Sequence, residues 1–104
     1  MAKLRILLVC GSGASSGFMA ANMRKAAAAA GLDATIQARS ESEVDNYIDD
    51  IDVIMVGPHL AYIVDDFTED YADYNVKVIL MKPEYYSRLD GTLAIAHLKE
   101  EMGL

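Results

Sequence analysis

The chain has 104 residues, 53 % of them apolar, which suits one small domain over residues 1–104 with a core that needs no staples. Its single cysteine excludes an internal disulfide, and no Cys/His cluster points to zinc, so neither metal nor cofactor is expected. The net charge of −7 excludes nucleic acid as a partner, because a phosphate backbone demands a basic face.

Leu4–Val9 is a continuous apolar run without polar alternation, the pattern of a strand buried on both faces of a parallel sheet. Lys3 and Arg5 ahead of it superficially resemble the start of a signal peptide. The apolar run is too short for one, and no later run reaches the length of a membrane span. Together with the lone thiol, this gives the expectation of a cytoplasmic protein without membrane insertion.

Gly11 and Gly13 end the strand, and Ser15 and Ser16 are of N-cap type. Met19, Met23, Ala26, Ala27 and Ala30 then recur at helical spacing, with Gly31 just past the helix end. Met19 and Met23 are expected in the core. A short strand is expected at 34–38 and a short acidic helix at 41–49. A second all-apolar strand at 52–56 ends at Gly57 and Pro58. A helix over 60–71 uses Ile63, Val64 and Phe67, and a fourth strand covers 76–81, stopped by Pro83. Residues 82–89 read as a loop or short helical turn. Asp90 caps a last helix carrying Leu93, Ile95, Leu98 and Met102. Alternation with connections this short predicts an α/β fold with a parallel sheet, helices on both faces and right-handed crossovers. The acidic runs match no calcium-loop spacing and read as solvated helix faces.

Ligands of such sheets bind at the carboxyl ends of the strands. The loop there after the first strand reads Cys10-Gly11-Ser12-Gly13-Ala14-Ser15-Ser16-Gly17. Glycines let successive N–H groups turn inward, and the helix start adds unpaired donors and partial positive charge. Ser12, Ser15 and Ser16 can add hydroxyl donors. This describes a phosphate-binding loop over residues 10–17 with a thiol at its edge, in surroundings that favour the nucleophilic thiolate. The segment is not a Walker loop, since no Gly-Lys-Ser/Thr follows. It is not the dinucleotide fingerprint either, whose glycine spacing it misses by one residue.

A cysteine at a strand end is also compatible with plain core packing. A low-molecular-weight cysteine phosphatase is the competing chemistry, but it needs arginine in the pattern Cys-x5-Arg, where this chain has Ser16. It also needs an acid for the leaving group. Thiol redox chemistry of the arsenate-reductase kind usually needs a resolving cysteine, which is missing. A non-catalytic anion-sensing module is a further alternative. Without a base to activate water, a phosphocysteine here should persist and be passed on.

The run from Cys10 to Gly17, followed by Phe18, Met19 and Met23, resembles the loop of the lactose/cellobiose-type enzyme IIB proteins of the bacterial sugar phosphotransferase system. The family shows hydroxyl residues at the positions of Ser15 and Ser16, and often a third where this chain has Gly17. Gly57-Pro58-His59-Leu60-Ala61-Tyr62 resembles the family's second signature. The resemblance implies a three-layer fold with a four-stranded parallel sheet of order 2-1-3-4. It implies a phosphotransferase in which Cys10 takes phosphate from a phosphohistidine on enzyme IIA. The phosphate then passes to a sugar on membrane enzyme IIC, such as the β-disaccharides cellobiose or lactose.

Around the loop, Phe18 is expected at the rim, where it can touch a partner. His59, Tyr62, Tyr85 and Tyr86 are further candidates for partner contact. The bland alternatives are a solvated or capping histidine for His59 and packing, with its hydroxyl at the rim, for Tyr62. His97 reads as a surface residue of the last helix.

Overall fold

In a computed structural model of the chain, residues 3–9 and 14–104 are described, with the backbone alone given for 14–16. Four parallel strands form one sheet: β1 (Leu4–Val9), β2 (Ala34–Arg39), β3 (Val53–Val56) and β4 (Lys77–Leu80), in the order β2-β1-β3-β4. The long helices are α1 (Ala14–Ala29), α3 (Tyr62–Asp70) and α5 (Gly91–Met102), with one-turn helices α2 (Val44–Tyr47) and α4 (Pro83–Tyr86) between them.

The unbroken apolar run of β1 follows from its central place. Ile6 and Leu8 point to one face, into a cluster with Met19, Met23, Met55, Ile95 and Leu98, while Leu7 and Val9 point to the other, with Val44, Ile54, Ile63 and Phe67. Helices α1 and α5 therefore cover one face, and α2 and α3 the other. Each fully buried aliphatic side chain contributes about 1.5–3 kcal/mol relative to exposure, so two such layers stabilise a chain of this length. Met19 and Met23 are fully buried, as their spacing implies.

Several boundaries differ from the sequence reading. The expected acidic helix at 41–49 is broken into a 3₁₀ turn (Glu41–Glu43), α2 and a second 3₁₀ turn (Ile48–Asp50). Ser42, Asp45, Asn46, Asp49 and Asp50 are weak helix formers, and the segment needs only to turn Val44, Ile48 and Ile51 onto the sheet. The Ser40 N–H donates to Glu43 Oε2 (3.1 Å), starting the turn. The helix expected at 60–71 begins instead with a 3₁₀ turn at Pro58–Leu60, because proline is pre-set for a first helical position. Strand β2 runs one residue further than expected, to Arg39. Helix α1 starts at Ala14, so Ser15 and Ser16 lie inside its first turn rather than at its cap. On α5, Asp90 caps as expected, Oδ1 accepting from Leu93 N–H (3.1 Å), but Leu93 itself is exposed and leaves the packing to Ala94, Ile95 and Leu98.

At the amino ends of the strands, Asp52 ties β3 to β1. Its Oδ2 accepts from Arg5 N–H (2.8 Å) and Arg5 Nε (3.2 Å), and Oδ1 from Nη2 (3.2 Å). The hydrogen bond from the Arg5 side chain is the main cause holding the Asp52 carboxyl below its ordinary value. A carboxyl lowered on folding contributes stability above its unfolded pKa, about 4, and loses it as pH falls through the lower folded value. Asp52→Asn should therefore lose less of its thermal midpoint than the parent as pH falls below about 4. Parallel acid profiles for the two proteins would remove Asp52 from the acid response.

Candidate active site

Cys10, Gly11, Ser12 and Gly13 lie outside the described residues, and the structure describes the frame that holds them. β1 ends at fully buried Val9, and α1 begins at Ala14, so four residues carry the chain from the sheet to a helix start. The first turn of α1 presents backbone N–H groups that the helix itself cannot pair, and it contains no acidic residue to oppose an anion. Ser15 and Ser16 contribute backbone positions in that turn. At Gly17 nothing lies within 4 Å of where a Cβ would stand, so replacing a hydroxyl residue by glycine relieves no crowding there.

The neighbouring loops are tied to this frame. Gly57 N–H donates to Val9 O (2.9 Å), locking the end of β3 to the residue before Cys10, and Met81 N–H donates to Val56 O (2.8 Å). The turns after β3 and β4 meet above these bonds. His59 is exposed, and its ring stands 5.9 Å from that of half-buried Tyr86, at a 48° tilt. Phe18 (67 %) and Tyr62 (68 %) are the two large side chains of the rim segments that face solvent most fully. For Phe18 this matches expectation. For Tyr62 it replaces the packing alternative with an open aromatic surface.

Tyr85 requires correction. It is 3 % exposed and belongs to the core cluster under α5, so it offers no surface to a partner. Its hydroxyl meets His97 Nδ1 at 2.6 Å, and His97 is correspondingly half-buried rather than a free surface residue. Two adjacent tyrosines on a one-turn helix face different ways, and only packing decides which one turns inward. Burial pushes the Tyr85 phenol up to about 12. A phenol raised on folding contributes stability below its unfolded pKa of about 10 and loses it as pH rises through the folded value. Tyr85→Phe should cost about 1 kcal/mol at neutral pH through the lost hydrogen bond, and should flatten the loss of denaturant midpoint between about pH 10 and 12. An unchanged alkaline profile would contradict this assignment.

Arg39 carries no motif in the sequence. Extension of β2 to this residue pairs it in register with Val9, beside the strand that leads into Cys10. The signal available in the sequence was a lone arginine at the end of an otherwise neutral strand.

Elsewhere, a cleft of about 480 Å³ lined by Lys3, Asp52, Asn75 and Lys77 opens at the amino ends of the strands, opposite the loop, and holds no nucleophile. Among the described residues no three His, Cys, Asp or Glu side chains gather as metal ligands. No helix there is long and apolar enough to cross a membrane.

Strand order 2-1-3-4, helices on both faces and a glycine-serine sequence after β1 define a doubly wound α/β protein, a class whose ligands bind at the carboxyl edge of the sheet. Residues 5–96 match the family described as "PTS system, Lactose/Cellobiose specific IIB subunit", and the chain belongs to that family. It is 26 % identical over 90 residues to the oligo-beta-mannoside-specific EIIB component of Bacillus subtilis, covering 86 % of this chain and 87 % of that one. It is 29 % identical over 101 residues to the galactose-specific EIIB component of Lactococcus lactis subsp. cremoris, covering 92 % and 94 %. The cellobiose-specific EIIB component of Lactococcus lactis subsp. lactis is likewise 29 % identical over 101 residues, at 92 % and 94 % coverage. Among solved structures, the lactose-specific IIB component domain from Streptococcus pneumoniae superposes with a TM-score of 0.85 at 14 % identity, over 95 % of this chain and 97 % of that one. The cellobiose-specific IIB component from Borrelia burgdorferi gives 0.72 at 23 % identity, over 91 % and 87 %. These two likenesses establish the fold.

Proposed function

We propose that the chain, acting as one IIB unit over residues 1–104, is a phosphocarrier whose Cys10 thiolate holds a phosphoryl group between two partners. In the first step Cys10 Sγ attacks the phosphorus of a phosphohistidine on enzyme IIA. The S–P bond forms as the N–P bond breaks, and the histidine ring leaves as the neutral imidazole after taking up a proton. In the second step a hydroxyl oxygen of a sugar on membrane enzyme IIC attacks. The O–P bond forms as S–P breaks, the hydroxyl proton passes to a base, and the thiolate returns.

The observation that carries this reading is the placing of the Cys10 position between the end of β1 and the amino end of α1. The unpaired N–H groups of a helix start suit the charge that a transferring phosphoryl group spreads over its oxygens. Arginine is missing from the phosphatase position, since Ser16 stands there. The reading therefore favours transfer over hydrolysis. The three relatives are named for three different sugars at nearly equal identity. That pattern fits a sugar held by the membrane partner rather than by this chain. A β-linked disaccharide is the substrate class we infer, and a cytoplasmic setting follows from the partners.

The test is direct. The full chain is incubated with a phosphorylated enzyme IIA of the lactose/cellobiose type, and intact mass is followed with peptide mapping. A single phosphoryl group on Cys10 that outlasts the incubation in water is the expected result. Absence of labelling, or labelling at another residue, would overturn the proposal. Rapid release as inorganic phosphate would favour the phosphatase.

A further inference from the structure

Two arginines of this acidic chain are held in opposite ways. Arg5, at the amino ends of the strands, meets the Asp52 carboxylate. Among the described residues Arg39, at the carboxyl ends, hydrogen-bonds to neutral acceptors. Its Nε donates to Tyr47 Oη (2.8 Å), Nη1 to Ala38 O (2.8 Å) and Nη2 to Gln37 Oε1 (3.1 Å). The guanidinium carbon stands 5.1 Å from the centre of the Tyr47 ring. Among the described residues the ion pairs are Lys3–Asp33 and Arg5–Asp52, and neither involves Arg39. The nearby Glu43 carboxylate is engaged with the Ser40 N–H.

This arrangement fixes a guanidinium that no ion pair among the described residues holds, with the Glu43 carboxylate acting on it only through space. A guanidinium has five N–H donors. Among the described residues three hydrogen bonds occupy one donor each, and two donors remain for an anion. The root of the side chain is set by register, since Arg39 pairs with Val9, the residue before Cys10. Neighbouring strands lie about 4.8 Å apart, so the root of the Arg39 side chain stands one strand away from β1, the strand that precedes Cys10 in the chain. Lys82 follows β4, two strands from β1 in the sheet order. A phosphorylated donor approaching a chain of net charge −7 is repelled at long range. A fixed local cation offsets that repulsion within a Debye length, about 10 Å at 0.1 M salt.

We propose that Arg39 is a docking residue for the phosphoryl dianion of the incoming phosphohistidine, drawing it to the loop before transfer. This rests on the carrier reading above. Arg39 acts on the encounter, so its loss is read in KM and in salt dependence rather than in the transfer step itself. The side chain is pre-oriented by Tyr47, so little rotamer freedom is lost when the anion arrives.

The experiment measures initial rates of Cys10 phosphorylation of the full chain by a phosphorylated enzyme IIA of the lactose/cellobiose type, across donor concentration and ionic strength. Arg39→Gln should raise KM about tenfold at low salt and leave kcat within about twofold, with the KM difference shrinking as salt rises. Arg39→Lys, which keeps the charge without the planar fork, should recover most of the low-salt KM. Titration with unphosphorylated enzyme IIA should give the same affinity for Arg39→Gln and the parent. An unchanged KM in Arg39→Gln, with the fold verified by thermal unfolding, would overturn the proposal. So would a fall in kcat at constant KM, or an equal loss of affinity for the unphosphorylated donor, which would make Arg39 a contact for the protein surface instead. If the parent chain itself takes no label on Cys10, it is the carrier reading that fails.

Discussion

Cys10→Ala is expected to accept no phosphoryl group from enzyme IIA and to lose at least about a thousandfold in transfer, the scale on which removal of a nucleophile acts. The thiol is the only one in the chain, so no second cysteine can take its place. Cys10→Ser separates nucleophilicity from shape. It keeps an atom of similar reach, but a hydroxyl is far less ionised near neutral pH than a thiol of pKa about 8.5. The serine variant should therefore remain close to the alanine variant in rate. The measurement is phosphoryl transfer from labelled enzyme IIA, with thermal unfolding as the control for folding. Transfer at the parental rate in the alanine variant would mean that the phosphoryl group travels by another residue. A serine variant as fast as the parent would show that the loop donors alone, and not the thiolate, set the rate.

Gly91→Ala is expected to destabilise the fold, although it adds only one methyl group. Gly91 opens α5 where that helix crosses α1, and a Cβ there would collide with the backbone carbonyl of Asn22 and stand 2.7 Å from Met23 N. The obstructing atoms are backbone, so no side-chain rotation relieves them. Asn22 also donates from Nδ2 to Leu89 O (2.8 Å), which holds the chain entering α5 against α1. Two effects compete. Alanine is favoured over glycine within a helix by about 1 kcal/mol, and less in a first turn. Overpacking of a rigid contact costs about 1–3 kcal/mol, and more where backbone must shift. The clash wins, with a net loss of about 2 kcal/mol and a fall in thermal midpoint of roughly 8–16 °C for a chain of this size. Gly91→Val should exceed it. A Gly91→Ala midpoint equal to or above the parent's would show that α5 can slide away from α1 without cost.

The two positions are visible in the sequence to different degrees. The Cys10 loop stands out because its signal is local: an apolar strand, a thiol, glycines and serines follow one another within a few residues. Gly91 looks like any glycine after an aspartate cap, and its role depends on Asn22 and Met23, some seventy residues earlier. The acidic segment after β2 was legible as helical but not as two 3₁₀ turns around a single α-turn. Its apolar spacing could not show how little helix is needed to bring Val44, Ile48 and Ile51 onto the sheet. Tyr85 and Tyr86 were indistinguishable by type and position. Packing against His97 and α5 turned the first inward, while the second meets His59 at the rim.

The sequence by itself determined the alternation of elements, the burial of β1 on both faces and the place of the thiol between strand and helix. Each of these is written in periodicity or turn chemistry over fewer than twenty residues. The strand order came with the family resemblance and agrees with the sheet observed. Only the tertiary structure decided which side chains share the carboxyl edge with the Cys10 position. Register sets Arg39 beside Val9, and the Gly57–Val9 hydrogen bond ties the second signature to the residue that precedes Cys10. Such neighbours are fixed by hydrogen bonding and close packing between segments remote in the chain, which local patterns do not encode.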